Sequence, residues 1–325
     1  MRLLTVLCVL LCSAAFAGAA PSEAGLERAS VRGEGYFRLS QWAARFGLTV
    51  NRDAKTGAVD LTNASIRLAF EVNSRKARAR GQTILLSLPV LARGEDALVS
   101  VVDAQTALEP LLAPKTGGTV KVVCLDPGHG GKDTGKIDGK NLEKKYTLLL
   151  AKETAQALQA RGFKTVLTRS RDQFVDLADR PAIAKRNGAD VFVSLHYNAA
   201  PPGVGGVEVY CLAPPGVASS NEGGGRAARQ ASPGNVQNSR NMLLAFLLQR
   251  HILRGVEIED RGLKRARFEV LREAAIPAVL IEGGFMTRPS DAKKIYDPVF
   301  RKRMAQAIAE GIAAYKEAIE TGRGR

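Results

Sequence analysis

The sequence predicts an α/β protein in which a mixed, mostly parallel sheet is covered by helices on both faces and preceded by a small α+β domain. Three observations carry this prediction. From Val120 onward, strand-like runs alternate with long helical runs. The strand-like runs, such as Val120 to Asp126 and Pro277 to Glu282, are almost continuously apolar, as strands buried on both faces must be. Upstream the rhythm is different, with short strands and closely spaced turn residues.

The first twenty residues read as a secretory signal peptide. Arg2 supplies the positive charge, Leu3 to about Leu11 the apolar run, and Ser13 to Ala20 the small residues before a cut. The run is shorter than the roughly 20 residues a spanning helix needs, so no stable membrane anchor is expected. The expected location is outside the cytoplasm, periplasmic or secreted. Residues 31–112 form the predicted small domain. In it, Tyr36 to Leu39 lead into a short helix over Ser40 to Phe46, the alternation Ile66, Leu68, Phe70, Val72 marks a strand, and Ala97 to Leu112 repeats strand then helix. Its rhythm loosely resembles the stalk-like domain named after the N-terminal domain of copper amine oxidases. Arg75, Lys76, Arg78 and Arg80 could touch a wall polymer, although a solvated hairpin is the simpler reading.

Ala113 to Thr119 (Ala-Pro-Lys-Thr-Gly-Gly-Thr) reads as a linker. The second domain, residues 120–318, places strands at Val120 to Asp126, Lys164 to Thr168, Asp190 to His196, Gly206 to Leu212 and Pro277 to Glu282. Its helices start near Leu142 and cover Leu177 to Arg186, Met242 to Leu253 and Val299 to Ile319. Pro214 to Asn238, rich in Gly, Ser and Asn, is an irregular insertion, and residues 319–325 are a basic tail.

The formal charge of +15 calls for an anionic partner or serves solubility. Nucleic acid is not expected, because aromatic residues are only 6% and the basic residues are scattered. A cell-wall polymer with free carboxylates fits an exported protein better. Cys124 and Cys211 sit in apolar runs and read as small buried hydrophobes; an oxidising compartment permits a bridge between them. A monomer is expected.

Only three histidines occur in the chain. His129 follows the first strand of the second domain in Asp126-Pro-Gly-His-Gly-Gly131. His196 ends the strand Val191-Phe-Val-Ser-Leu-His196. Glu282 ends Pro277-Ala-Val-Leu-Ile-Glu282, and Glu143 opens the helix after the His129 loop, with Asn141 as its expected cap. If the strands are parallel, all four side chains gather at the carboxyl edge of the sheet, where open α/β sheets place their ligands. Two imidazoles and one carboxylate make a three-ligand zinc set with an open fourth position. The remaining carboxylate is suited to move a proton. His251, beside Arg250 in a helical stretch, has no partner motif and reads as structural or exposed.

These residues and their neighbours resemble the zinc-dependent N-acetylmuramoyl-L-alanine amidases. The likeness runs from about Val120 to Tyr315. Its blocks are Leu125-Asp-Pro-Gly-His-Gly-Gly131, Leu142-Glu-Lys144, Thr168-Arg169, Ser194-Leu-His-Tyr-Asn-Ala199, Arg261-Gly-Leu-Lys264, Phe268-Glu-Val-Leu-Arg272 and Pro277 to Met286. The resemblance implies that His129, Glu143 and His196 bind Zn2+, that Glu282 is the catalytic carboxylate, and that the substrate is the amide joining N-acetylmuramic acid to L-alanine in peptidoglycan. Arg288-Pro-Ser-Asp291 stands where such enzymes tend to have Asn-x-x-Glu. Some relatives carry an inserted helix that plugs the zinc; the composition of Pro214 to Asn238 predicts no such plug. A peptidase of similar architecture and a non-catalytic wall-binding module are the rival readings.

Overall fold

The computed structural model describes residues 22–53, 55–220 and 230–322. The proposed signal peptide, part of the 214–238 insertion and the last three residues of the tail lie outside them.

The N-terminal part contains β1 (Arg28–Val31), β2 (Glu34–Arg38), α1 (Leu39–Ala44), β3 (Thr49–Arg52), β4 (Val59–Thr62), β5 (Arg67–Phe70), β6 (Ser74–Ala79), β7 (Gln82–Arg93) and β8 (Asp96–Ser100). A helical stretch follows, α2 (Val101–Asp103) and α3 (Glu109–Leu112) joined by a π-helical segment. Strands β3 to β7 form an antiparallel meander. The far half of the long β7 bends away to pair with β8. Residues 113–121 have no regular structure but are tethered. The Gly117 amide donates to the Ile319 carbonyl, and Arg240 donates to that of Gly117.

The C-terminal part contains β9 (Val122–Pro127), the two-residue strands β10 (Ile137–Asp138) and β11 (Asn141–Leu142), α4 (Glu143–Gln159), β12 (Lys164–Leu167), α5 (Asp179–Arg186), β13 (Val191–Asn198) and β14 (Val207–Leu212). Then come α6 (Asn238–Gly255), β15 (Asp260–Ala266), α7 (Glu269–Arg272), β16 (Ala278–Phe285), α8 (Pro289–Tyr296) and α9 (Pro298–Thr321). The strand order is β12-β9-β13-β16-β14-β15. All neighbours are parallel except β14 against β16. This is the mixed, mostly parallel sheet the sequence predicts.

Side-chain parity divides the sheet into two faces. Val123, Leu125, Val193, Leu195, Val209 and Ile281 belong to the larger core, under the long helices α4, α6 and α9. Cys124, Phe192, Tyr210, Leu212 and Leu280 belong to a smaller core beneath α5 and α7. Cys124 and Cys211 therefore lie in cores on opposite faces, and both thiols are free and buried. Short helices on the second face leave the carboxyl edge of the sheet accessible there.

Strand β15 was not anticipated, and through it the two parts of the chain share one sheet. β15 pairs in parallel with β7 at Leu263 and Ile84. Asp260 accepts the Thr83 amide, Gln82 donates to the Phe246 carbonyl, and buried Arg265 donates to Asp103 and Ser87. Asn141 does not cap α4: the N-cap is Leu142, without a side-chain bond, and Asn141 instead accepts from the Tyr146 hydroxyl at 2.7 Å. No helix among the described residues is long and apolar enough to cross a membrane.

Candidate active site

The carboxyl edge of β9, β13 and β16 brings the four predicted residues together. β13 pairs with β9 on one side and β16 on the other, so that Ser194 lies opposite Asp126 and His196 opposite Glu282. All four share the parity of the thinly covered face. His129 follows β9, and Glu143 is the first residue of α4, brought back to the edge by the turn around Gly135.

His129, Glu143 and His196 each offer a ligand atom, and these atoms lie within 4.8 Å of one another. Glu143 Oε1 is 3.0 Å from His129 Nε2 and 3.2 Å from His196 Nδ1. It also accepts the Tyr197 amide at 3.0 Å, while Oε2 accepts the Lys136 amide at 2.9 Å. The second nitrogen of His129, Nδ1, lies 2.8 Å from Asp133 Oδ2, the kind of contact that fixes a ligating ring. Burial pushes the buried Glu143 carboxyl up, but the two imidazoles beside it outweigh that and hold it far below the usual carboxylate range. Burial likewise pulls His129 down, and the carboxylates of Glu143 and Asp133 reverse the shift and raise it. Two imidazole nitrogens and an ionised carboxylate this close together are a donor set that suits zinc.

Glycine is required at two points. A Cβ on Gly128 would stand 2.3 Å from the His196 ring, and one on Gly135 would stand 2.6 Å from both Glu143 and His129. His129 itself has a φ of 62°, a left-handed backbone rare outside glycine. A buried clamp holds that conformation. Arg169 donates to the carbonyls of Pro127 at 2.9 Å and Gly128 at 2.8 Å, and Arg180 donates to the His129 carbonyl at 3.2 Å. Arg180 in turn binds Asp126, which also accepts from Thr168 and Ser194. Thr168 and Arg169 stand out in the sequence only as part of the resemblance, because the Asp126 to His129 groups that they and Arg180 bind are some 40 to 55 residues away.

Glu282 contrasts with Asp126. It lies inside β16, which continues to Phe285, and its Oε2 is buried with no hydrogen-bond partner among the described residues. Burial, then the charges of Glu143 and Glu208, raise its carboxyl well above the usual range, with Lys264 opposing. Glu208 is the residue that sequence reasoning missed. It faces Glu282 across the β14–β16 pair and is bound by Lys264, by Arg261 at 2.8 Å, by the Tyr210 hydroxyl at 2.7 Å and by Asn198. Asp291, in the departing Arg288-Pro-Ser-Asp291 segment, accepts the amides of Gly206 and Phe285 and so ties together the ends of β14 and β16 beside the site.

Comparison with known proteins identifies the frame. The family model described as N-acetylmuramoyl-L-alanine amidase matches residues 123–314, well over half of the chain. The chain belongs to the N-acetylmuramoyl-L-alanine amidase family. It is 35% identical over 230 residues to the amidase AmiA of Escherichia coli, a match covering 62% of this chain and 78% of that one. Among solved structures it is similar to the amidase AmiC2 of Nostoc punctiforme, with 35% identity, a TM-score of 0.51, and coverage of 61% of this chain and 98% of that one. An amidase of Clostridium difficile 630 gives 32% identity and a TM-score of 0.51, covering 61% and 97%. Members of the family are hydrolases that act on peptidoglycan, and this activity belongs to the present chain. The family model begins at residue 123, after the N-terminal strands and α3.

Proposed function

We propose that this amidase is zinc-dependent, that His129, Glu143 and His196 hold the metal, and that Glu282 moves the proton. One observation supports the division of labour above all. Of the two acidic residues among the four, Glu143 accepts bonds on both oxygens, while Glu282 beside it has a buried oxygen without a partner. A buried carboxylate without partners is costly and its ionisation is easily shifted, as proton transfer demands.

Bound at this site, zinc would lower the pKa of a coordinated water to roughly 7 and polarise the amide carbonyl. The protein's own contributions are mechanical and electrostatic. The Asp126–Arg180–Arg169 clamp keeps His129 in its strained conformation, and Asp133 orients the ring. Glu282, raised in pKa, takes a proton from water and passes it to the leaving nitrogen of L-alanine. Gly283, next to Glu282, faces the opposite side of the sheet, where a Cβ would stand 3.0 Å from the Tyr197 ring beside His196.

In this reading residues 1–20 direct export, residues 31–112 form a small domain, 113–119 a linker and 120–318 the catalytic domain of a monomer acting in the periplasm or outside the cell. The expectation that no inserted helix plugs the site falls partly on residues 221–229, outside the described ones. The decisive assay incubates the mature chain with peptidoglycan before and after chelation. Intact stem peptides should be released, release should stop on chelation, and zinc should restore it. Shortened stems would favour a peptidase, and release that persists without metal would overturn the zinc assignment.

A further inference from the structure

Three arginines meet where β7 joins the catalytic sheet. Arg80 precedes Gly81 in the turn between β6 and β7 and, like His129, has a left-handed backbone, with φ 50°. Two residues later, Gln82 donates to the carbonyl of Phe246 on α6 at 3.2 Å. Arg250 and Arg254 follow Phe246 at four-residue intervals, one helical stripe leading from that contact to the end of α6. Arg80 and Arg250 are half-buried and Arg254 is exposed. None of the three has an ion pair or side-chain hydrogen bond among the described residues. Asp260, the acid near this seam, is already taken up by Thr83, Gln249 and Gly262. Arg254 depresses the pKa of both Arg80 and Arg250, on top of their burial, so the three guanidiniums repel one another in the absence of a ligand.

The carboxyl end of α6 carries roughly half a negative charge, which offsets only about half of one cation and leaves most of three. Beyond Arg254, Gly255, Lys302 and Arg303 line a shallow cleft of about 270 Å³ together with Glu310, which is already engaged by Arg161 and His251. The seam also lies at the active end of the sheet. Glu282 pairs with Glu208 on β14, β14 with β15, and β15 with β7. Three strand spacings of about 4.8 Å and one helix layer of about 10 Å put the arginines roughly 15–20 Å from Glu282. Because α6 covers the face opposite to that of Glu282, one polymer reaches both by crossing the carboxyl edge of the sheet.

We propose that Arg80, Arg250 and Arg254 form a second peptidoglycan-binding site, which takes the free carboxylates of stem peptides neighbouring the one being cleaved. Guanidinium groups suit carboxylates because they bind them in a two-pronged fashion. The proposal rests on peptidoglycan being the substrate but not on the zinc mechanism. It also gives the N-terminal strands a role in substrate recognition, since Arg80 comes from them and the other two arginines from the catalytic part.

The test is co-sedimentation of the full-length Glu282→Gln protein with purified, phosphate-free peptidoglycan, so that binding is read without cleavage. Replacing all three arginines by glutamine should weaken binding by roughly tenfold and flatten its salt dependence. The triple lysine variant should recover part of the loss. In the otherwise wild-type enzyme, the triple glutamine change should lower the rate on polymer relative to a soluble single-stem muropeptide, which is too short to reach the seam. A second arm leaves the protein intact and amidates the carboxylates of the polymer. Binding should then fall to the level of the glutamine variant. Undiminished binding to amidated polymer would overturn the proposal, as would a folded glutamine variant that sediments like its parent. A failure of the zinc mechanism would instead appear as muropeptide hydrolysis that persists after chelation, with binding to the polymer unchanged.

Discussion

Asp126 and Glu282 are both acidic, both lie near the carboxyl edge of one sheet, and are separated by a single strand, yet their surroundings are opposite. Asp126 is fully buried and accepts from Thr168, Ser194 and Arg180. Glu282 has a buried oxygen with no partner, and like charges on either side. The first arrangement fixes a charge in place and uses it to hold a loop. The second leaves a carboxyl group free to change its protonation state. Satisfied and unsatisfied carboxylates thus mark, on the two strands flanking β13, what supports the site and what reacts in it.

The largest expected effect separates the two directly. Glu282→Gln should lower hydrolysis by about 10²–10⁴-fold, the range for loss of a general acid–base group. It should leave metal content and melting temperature near those of the parent, because no hydrogen bond is lost. Asp126→Ala should act on stability first: it strands the buried Arg180 and should cost about 3–5 kcal/mol in denaturant unfolding. A stable Asp126→Ala protein, or an unfolded Glu282→Gln protein, would break the comparison.

Glu208 allows a finer test. Its charge raises the Glu282 carboxyl, so Glu208→Gln should lower it. The base must be ionised to accept a proton, and rate falls as pH drops through its pKa. The acidic limb of the pH–rate profile should therefore move to lower pH in Glu208→Gln. Lys264→Met removes the opposing cation and should move the limb to higher pH. Both limbs moving the same way would contradict the electrostatic account. The smallest effect is expected at the seam between β7 and β15. Arg265→Met should cost about 1–3 kcal/mol, because Asp103 keeps the Ser87 and Leu88 amides and the Ser100 hydroxyl as donors.

The site was more legible in the sequence than the surroundings that make it work. His129, His196 and Glu282 follow or lie in apolar strands of one parity, so α/β geometry alone brings them to one edge. Glu143 needed the family resemblance, since a glutamate opening a helix is usually a dipole partner. β15 was hidden because Asp260-Arg-Gly-Leu-Lys-Arg-Ala266 is largely polar and its burial does not alternate. Its position also depends on Thr83, 177 residues away. The clamp role of Arg169 and Arg180 was hidden for the same reason: the backbone carbonyls and the carboxylate they bind are brought to them only by the folded chain. Glu208 looked like an ordinary strand residue because its four partners come from three different strands.

The central claim is that three residues hold the metal while Glu282 alone moves the proton. Metal content and peptidoglycan turnover measured together on Glu282→Gln and Glu143→Ala test it most directly. Glu282→Gln should retain about one zinc per chain and lose turnover, whereas Glu143→Ala should lose both. Loss of zinc from Glu282→Gln, or turnover that survives in it, would contradict the account.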